Sequence, residues 1–246
     1  MLHPQSNFKI VLVRAKIAEN VGFTARSMQA FGFSSLALVS PAFDWHDESP
    51  AFKTASGAEN LLHEIRFHPT PAEAVADCHR VIGFSRRTYK FKRPQMDLPT
   101  WIGQMDEESM NQRTALVFGA EDFGLSNEEK SLCDGLVSIP TYTETLSLNL
   151  SHAITVVLHS MYTKFREDSK LNATAIGSSN DFARQEDIQR LLHDWTGGLD
   201  QTTFFKSGRR EFQIEILNDL IRRLRLTLSE YEYLMGMINA WRKKIR

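Results

Sequence analysis

At 246 residues, with 42% hydrophobic and 24% charged side chains, the chain has enough apolar mass for one sizeable core and a smaller module, so it needs no disulfide staples. Its formal net charge of -1 excludes a global field that would gather a polyanion, and any nucleic-acid role must rest on local charge. Cys78 and Cys133 lie far apart, which predicts free thiols in a reducing, cytoplasmic compartment, and the apolar run Ile10 to Val13 is too short for a signal peptide or a membrane span.

In chain order, "KIVLV" (9 to 13), "LALVS" (36 to 40), "RVIGFS" (80 to 85), "ALVFG" (115 to 119) and "GLVSIP" (135 to 140) are short apolar runs of the kind buried on both faces of a sheet. Between them, "NVGFTARSMQAFGF", "TPAEAVADC" and "SNEEKSLC" have helical composition or a helix start signal. This alternation predicts an α/β domain with a mostly parallel sheet over residues 1–165. "HEIRFH" (63 to 68) is not a zinc helix, because its two histidines are five apart and diverge around a helix. No metal site is predicted.

"RRTYKFKR" follows the third run, with Arg86, Arg87, Lys90, Lys92 and Arg93 interleaved with Tyr89 and Phe91. Such a stretch suits an RNA backbone with bases that can stack, although a solvated loop has the same composition.

"TLSLNLSHA" (145 to 153) alternates like a strand, yet it runs into Ile154, Val157, Leu158 and Met161 at helical spacing. Ser147, Asn149 and Ser151 therefore crowd a helix start where one cap would suffice. After Phe165 the apolar pattern lapses, and residues 166–184 read as a linker. Beyond it an all-helical module, 185–246, is predicted from three apolar stripes. They are Ile188, Leu191, Leu192 and Trp195; Phe212, Ile216, Leu217, Leu220 and Leu224; and, after a Thr227/Glu230 capping box, Tyr231, Leu234, Met235, Ile238, Trp241 and Ile245. Lys206, Arg209, Arg210, Arg222, Arg223, Arg225, Arg242, Lys243, Lys244 and Arg246 are expected to give it a basic surface.

Two further constellations sit at strand ends. In "AENVGFTAR" (18 to 26), Asn20 is placed to cap a helix, and Gly22 admits a close backbone or ligand. Asn20 and Arg26 do not share a helix face, so they converge only if Asn20 precedes the helix. In "VFGAEDFGLSNEE" (117 to 129), a strand enters a loop containing Gly119 and Gly124, and Ser126 and Glu129 mark the next helix. No G-x-G-x-x-G, phosphate loop or G-x-S-x-G is present.

Taken in order, "NVGFTAR", "GAEDFGL" and "SIP" followed by "SLNLSHA" resemble the three signature motifs of the SPOUT methyltransferases, in the branch of RNA ribose 2'-O-methyltransferases. The C-terminal extension and "GFSRRTYKFKRP" resemble the TrmJ subgroup in particular. The chain has Ala18 where many relatives carry Pro. The resemblance implies a C-terminal trefoil knot, S-adenosylmethionine (AdoMet) held in the knotted loops, a homodimer, and 2'-O-methylation of a cytidine or uridine in the tRNA anticodon loop, at position 32. It further implies Arg26, Asn20, Glu121, Ser147 and Asn149 as catalytic residues. The implied cofactor residues are Gly119, Ala120, Glu121, Gly124, Ile139, Leu148 and Asn149. Arg26 would position the substrate, or serve as base if deprotonated. A non-catalytic RNA-binding relative and a nucleotide-binding oxidoreductase are the alternatives.

Overall fold

The computed structural model describes residues 4–46, 48–86, 95–106, 110–143, 147–171, 182–205 and 209–245. Among these residues, seven parallel strands form one sheet: β1 (Phe8–Val13), β2 (Ser35–Val39), β3 (Arg66–His68), β4 (Arg80–Phe84), β5 (Gln95–Asp97), β6 (Thr114–Phe118) and β7 (Gly135–Ser138), in the order β3-β2-β1-β6-β4-β7-β5. The five apolar runs supply the five inner strands, because a parallel strand covered by helices on both faces must be apolar throughout. The two edge strands, "RFH" and "QMD", carry no such signal.

Alternation along β1 divides the core in two. Ile10 and Leu12 face one cluster, covered by α1 (Ala18–Phe31), α2 (Pro50–Thr54), α3 (Glu59–His63), α5 (Leu98–Gly103) and α7 (Leu150–Leu171). Val11 and Val13 face the other, covered by α4 (Pro71–Val75) and α6 (Asn127–Ser131). Gly22 does admit a backbone, since a Cβ there would lie 2.0 Å from the Ala51 carbonyl oxygen of α2. Helix α7 continues six residues past Phe165, through good helix formers such as Arg166 and Glu167, into the stretch read as linker.

Helices α8 (Gln185–Leu199), α9 (Arg210–Leu224) and α10 (Leu228–Ile245) bury Ile188, Leu191, Ile221, Tyr231, Met235 and Ile238 among themselves. Two sequence expectations are corrected here. Phe212, Ile216, Leu220 and Leu224 are exposed, because α9 turns the adjacent row, Leu217 and Ile221, toward its neighbours. Arg222 is not on the basic surface but 5% exposed, bridging to Asp134 at the start of β7 (3.2 Å) and to Asn218 (2.9 Å). Asn218 donates to the Ser131 carbonyl, and Gln185 donates to Asp134 and to the Cys78 carbonyl. Polar links thus tie the helices to the sheet. Lys206 and Arg246 lie outside the described residues.

Candidate active site

A pocket opens at the C-terminal ends of β4, β6 and β7, where ligands of open parallel sheets bind. Phe84, Phe118, Gly119, Glu121, Gly124, Ile139, Thr141, Ser147, Leu148 and Ala153 line it. The loop after β6 folds back on itself. A Cβ on Gly119 would lie 2.1 Å from the Gly124 carbonyl carbon, Gly124 adopts φ +65°, and its N–H donates to the Ala120 carbonyl at 2.8 Å. Only glycine meets these demands without strain. Leu125 is buried beneath the loop, and Ser126 with Glu129 then forms the expected capping box of α6.

Glu121 binds this loop to the start of α1. Its carboxylate accepts from the Lys16 N–H (2.9 Å), the Ile17 N–H (3.3 Å) and Asn20 Nδ2 (2.8 Å). The N-cap of α1 is Ile17, whose side chain cannot cap, and a carboxylate from a distant segment instead accepts the N–H groups leading into the helix and lies near its positive end. Asn20 is accordingly not the cap. It lies in the first turn, 3% exposed, with its amide turned to Glu121.

Arg14 adds a second tie. At φ 55°, it leaves the end of β1 and makes a two-pronged contact with Glu129 (2.8 and 2.9 Å), with a longer one to the Gly124 carbonyl (3.4 Å). The hydrogen bond to Glu129 raises its pKa above the ordinary arginine value.

At the α7 entrance, the three polar residues have separate tasks. Asn149 Oδ1 accepts from the Ser151 N–H (2.9 Å) and hydroxyl (2.8 Å), which makes it the cap. Ser151 is buried, and its carbonyl accepts from Thr155, whose hydroxyl also meets Ser27 on α1 at 2.7 Å. Ser147 is left exposed on the pocket wall.

The structure therefore brings Asn20 and Glu121 into contact, and places Gly119, Ala120, Glu121, Gly124, Ile139, Ser147 and Leu148 around one pocket with Asn149 beside it. Arg26 is elsewhere. It is exposed in a surface groove between α1 and α7, with Phe23, Phe31, His152 and Thr155. Arg86 reaches the pocket rim, and Arg87, Lys90, Lys92 and Arg93 lie outside the described residues. Sequence reasoning missed Phe84, which stacks on Phe118 at 4.5 Å, and Arg14. Strand-end position would have marked Phe84; nothing local marks Arg14.

A model of the SpoU rRNA methylase family matches residues 7–159, which span both loops and the α7 entrance. The chain belongs to this family. Among SpoU relatives, it is 30% identical over 233 residues to the tRNA (cytidine/uridine-2'-O-)-methyltransferase TrmJ of Citrobacter koseri, covering 94% of this chain and 95% of that one. The crystal structure of TrmJ from Z. mobilis ZM4 superposes with a TM-score of 0.79 at 27% identity, covering 94% and 97%. A structure concerned with 2-OH methylation of C/U34 on tRNA gives a TM-score of 0.51 at 28% identity, covering 65% of this chain and 97% of its own.

A SpoU methylase uses AdoMet, and the pocket fits it. Gly119 and Gly124 line it without side chains, while Ile139, Leu148 and Ala153 offer an apolar surface to adenine.

Proposed function

We propose that this chain transfers the methyl group of AdoMet to the ribose 2'-hydroxyl of a cytidine or uridine in the tRNA anticodon loop, at position 32. The observation that carries this reading is the Glu121–Asn20 contact, which locks two signature motifs together beside a glycine-walled pocket. Likeness to the two TrmJ proteins over nearly the full chain supports the tRNA substrate. The C/U34 structure aligns with 97% of itself but only 65% of this chain, so it has no counterpart to about a third of it, which favours the TrmJ assignment.

AdoMet bound in the pocket supplies a methyl group on a positively charged sulfur. The protein's task is to hold the 2'-oxygen in line, and such positioning contributes roughly 7–11 kcal/mol in well-oriented reactions. Ser147, on the wall beside Leu148, is placed to hydrogen-bond the ribose. Asn20 and Glu121 hold the α1 start rigid against the loop. A guanidinium is a poor base, so the 2'-hydroxyl gives its proton to solvent water as the oxygen–methyl bond forms and the methyl–sulfur bond breaks, while Arg26 binds a target phosphate or ribose and stabilises negative charge developing on the 2'-oxygen.

Arg26 does not line its own chain's pocket, and Ile17, Phe23 and Val156, on or next to α1 and α7, are exposed apolar residues. These features support a homodimer in which α1 and α7 meet a second copy and Arg26 serves the partner's pocket. The same proposal includes a trefoil threading of the segment after β7, a catalytic unit over 1–165, an RNA-binding helical module over 185–246 and a cytoplasmic location.

Arg26→Ala is expected to abolish tritiated-methyl incorporation into unmodified tRNA while calorimetry finds the AdoMet affinity within about threefold of wild type. Equal loss of both refutes the assigned role. Gly119→Val, whose side chain would collide with the Gly124 backbone, is expected to be inactive, and mixing it with Arg26→Ala is expected to restore turnover, since one hybrid site then has an intact pocket and an intact arginine. Mapping the methylated nucleotide separates position 32 from 34.

A further inference from the structure

The opposite end of the sheet holds a larger cavity, of about 440 Å³, between the N-terminal ends of β4 and β7 and the helices α8 and α9. Its lining includes the apolar side chains of Met96, Trp101, Met105, Ile221 and Leu226. Four arginines, Arg80, Arg222, Arg223 and Arg225, and two aspartates, Asp106 and Asp134, also line it, with Arg222 bridged to Asp134 at 3.2 Å.

Gln112, just ahead of β6, is the informative residue. It is 6% exposed and lines the cavity, and its amide nitrogen has no hydrogen-bond partner. The orientation of the amide is fixed, because its oxygen accepts from Arg225 Nη2 at 3.2 Å. Arg225 ends α9 in the left-handed region (φ 47°), and its guanidinium lies over the Phe182 ring at 5.2 Å. Two N–H-bearing groups are therefore held side by side at the cavity wall. A buried donor without an acceptor is costly, so an acceptor-rich ligand group is the natural complement.

We propose that this cavity is a second ligand site, which takes a nucleoside monophosphate unit with its phosphate on Gln112 and Arg225 and its base against the Trp101 and Met105 wall. The volume lies within the usual range for small-molecule pockets, and paired N–H donors with an arginine are the chemistry that phosphate selects. The proposal does not rest on the catalytic reading: Gln112, Arg225, Trp101 and Met105 do not line the pocket at Gly119, although Trp101 packs edge-on against Phe84, which does.

The test uses the full chain saturated with S-adenosylhomocysteine, so that the other pocket is filled, and titrates cytidine 5'-monophosphate by calorimetry. Binding is expected at one site per chain, with cytidine alone and inorganic phosphate alone each at least tenfold weaker. Gln112→Glu keeps an acceptor for Arg225 but replaces the free N–H donors with negative charge. It should weaken the nucleotide at least tenfold without changing the melting temperature or the S-adenosylhomocysteine affinity. Arg225→Gln should act in the same direction. If tRNA binding falls in both variants and the mononucleotide competes with tRNA, the unit belongs to the RNA chain; if tRNA binding is unchanged, it is a free nucleotide. No binding to the wild type, or equal affinity in wild type and Gln112→Glu, overturns the proposal.

Discussion

Glu121 does its work by holding three N–H groups that belong to a segment about a hundred residues earlier in the chain. Glu121→Ala leaves the Asn20 amide buried without its partner and removes the acceptor at the α1 start. The expected cost is about 1–3 kcal/mol of stability. Because the two motifs then lose their common anchor, kcat should fall on the order of 100-fold, as misplacement by about an ångström produces. Denaturant melts and single-turnover methyl transfer check the two effects separately. Glu121→Gln should fall between, since its amide oxygen still accepts but carries no charge for the helix end. The carboxylate is legible in the sequence as the odd member of a glycine loop. Its partners are not, because hydrogen bonds between segments so far apart leave no periodicity. The true role of Asn20 is hidden for the same reason: a helix capped from outside its own sequence shows no local cap.

Among elements, the glycines separate into those that a neighbour forbids to change and those that are open. At Gly22 a methyl group would overlap the α2 backbone, so Gly22→Ala should destabilise by about 3 kcal/mol, the upper end of the overpacking range. Gly103, near the end of α5, has nothing within 4 Å of the place a methyl group would occupy and no left-handed backbone, and Gly103→Ala should stabilise by about 0.4–1 kcal/mol. Thermal melts of the pair test the contrast. The inner strands are legible because burial on both faces demands uninterrupted apolar runs. The edge strands β3 and β5 are not, since three polar or mixed residues carry too little pattern. The helices of the C-terminal segment are legible as helices, but not the inward face of α9. That face is chosen by Asn218 and Arg222, polar residues whose partners lie on the sheet side.

Across the whole molecule, the contact between Arg222 and Asp134 is the deepest charged link between the helical segment and the sheet among the described residues, with side chains 3% and 14% exposed. Removing one partner of such a pair strands the other charge, so Arg222→Ala should cost about 3–5 kcal/mol. Limited proteolysis should then release the C-terminal helices from an intact N-terminal fragment. The double replacement Arg222→Met with Asp134→Asn, which removes both charges but keeps an oxygen to accept from the Val81 N–H and Gln185, should recover most of the loss. A double variant no more stable than Arg222→Ala would show that the remaining polar links, not the charge pair, dominate the docking.

The strand order also governs how the chain is made. β6, the fourth strand across the sheet, pairs with β1 on one side and β4 on the other, yet it is sixth to leave the ribosome. Until residue 118 has emerged, β1 and β4 have no shared neighbour, and their apolar edges wait unpaired. Synthesis at roughly 5–20 residues per second makes that interval several seconds long. The nascent chain spends it with β1, β2 and β3 free to pair while β4 and β5 stay single, and β6 followed by β7 closes the sheet over them.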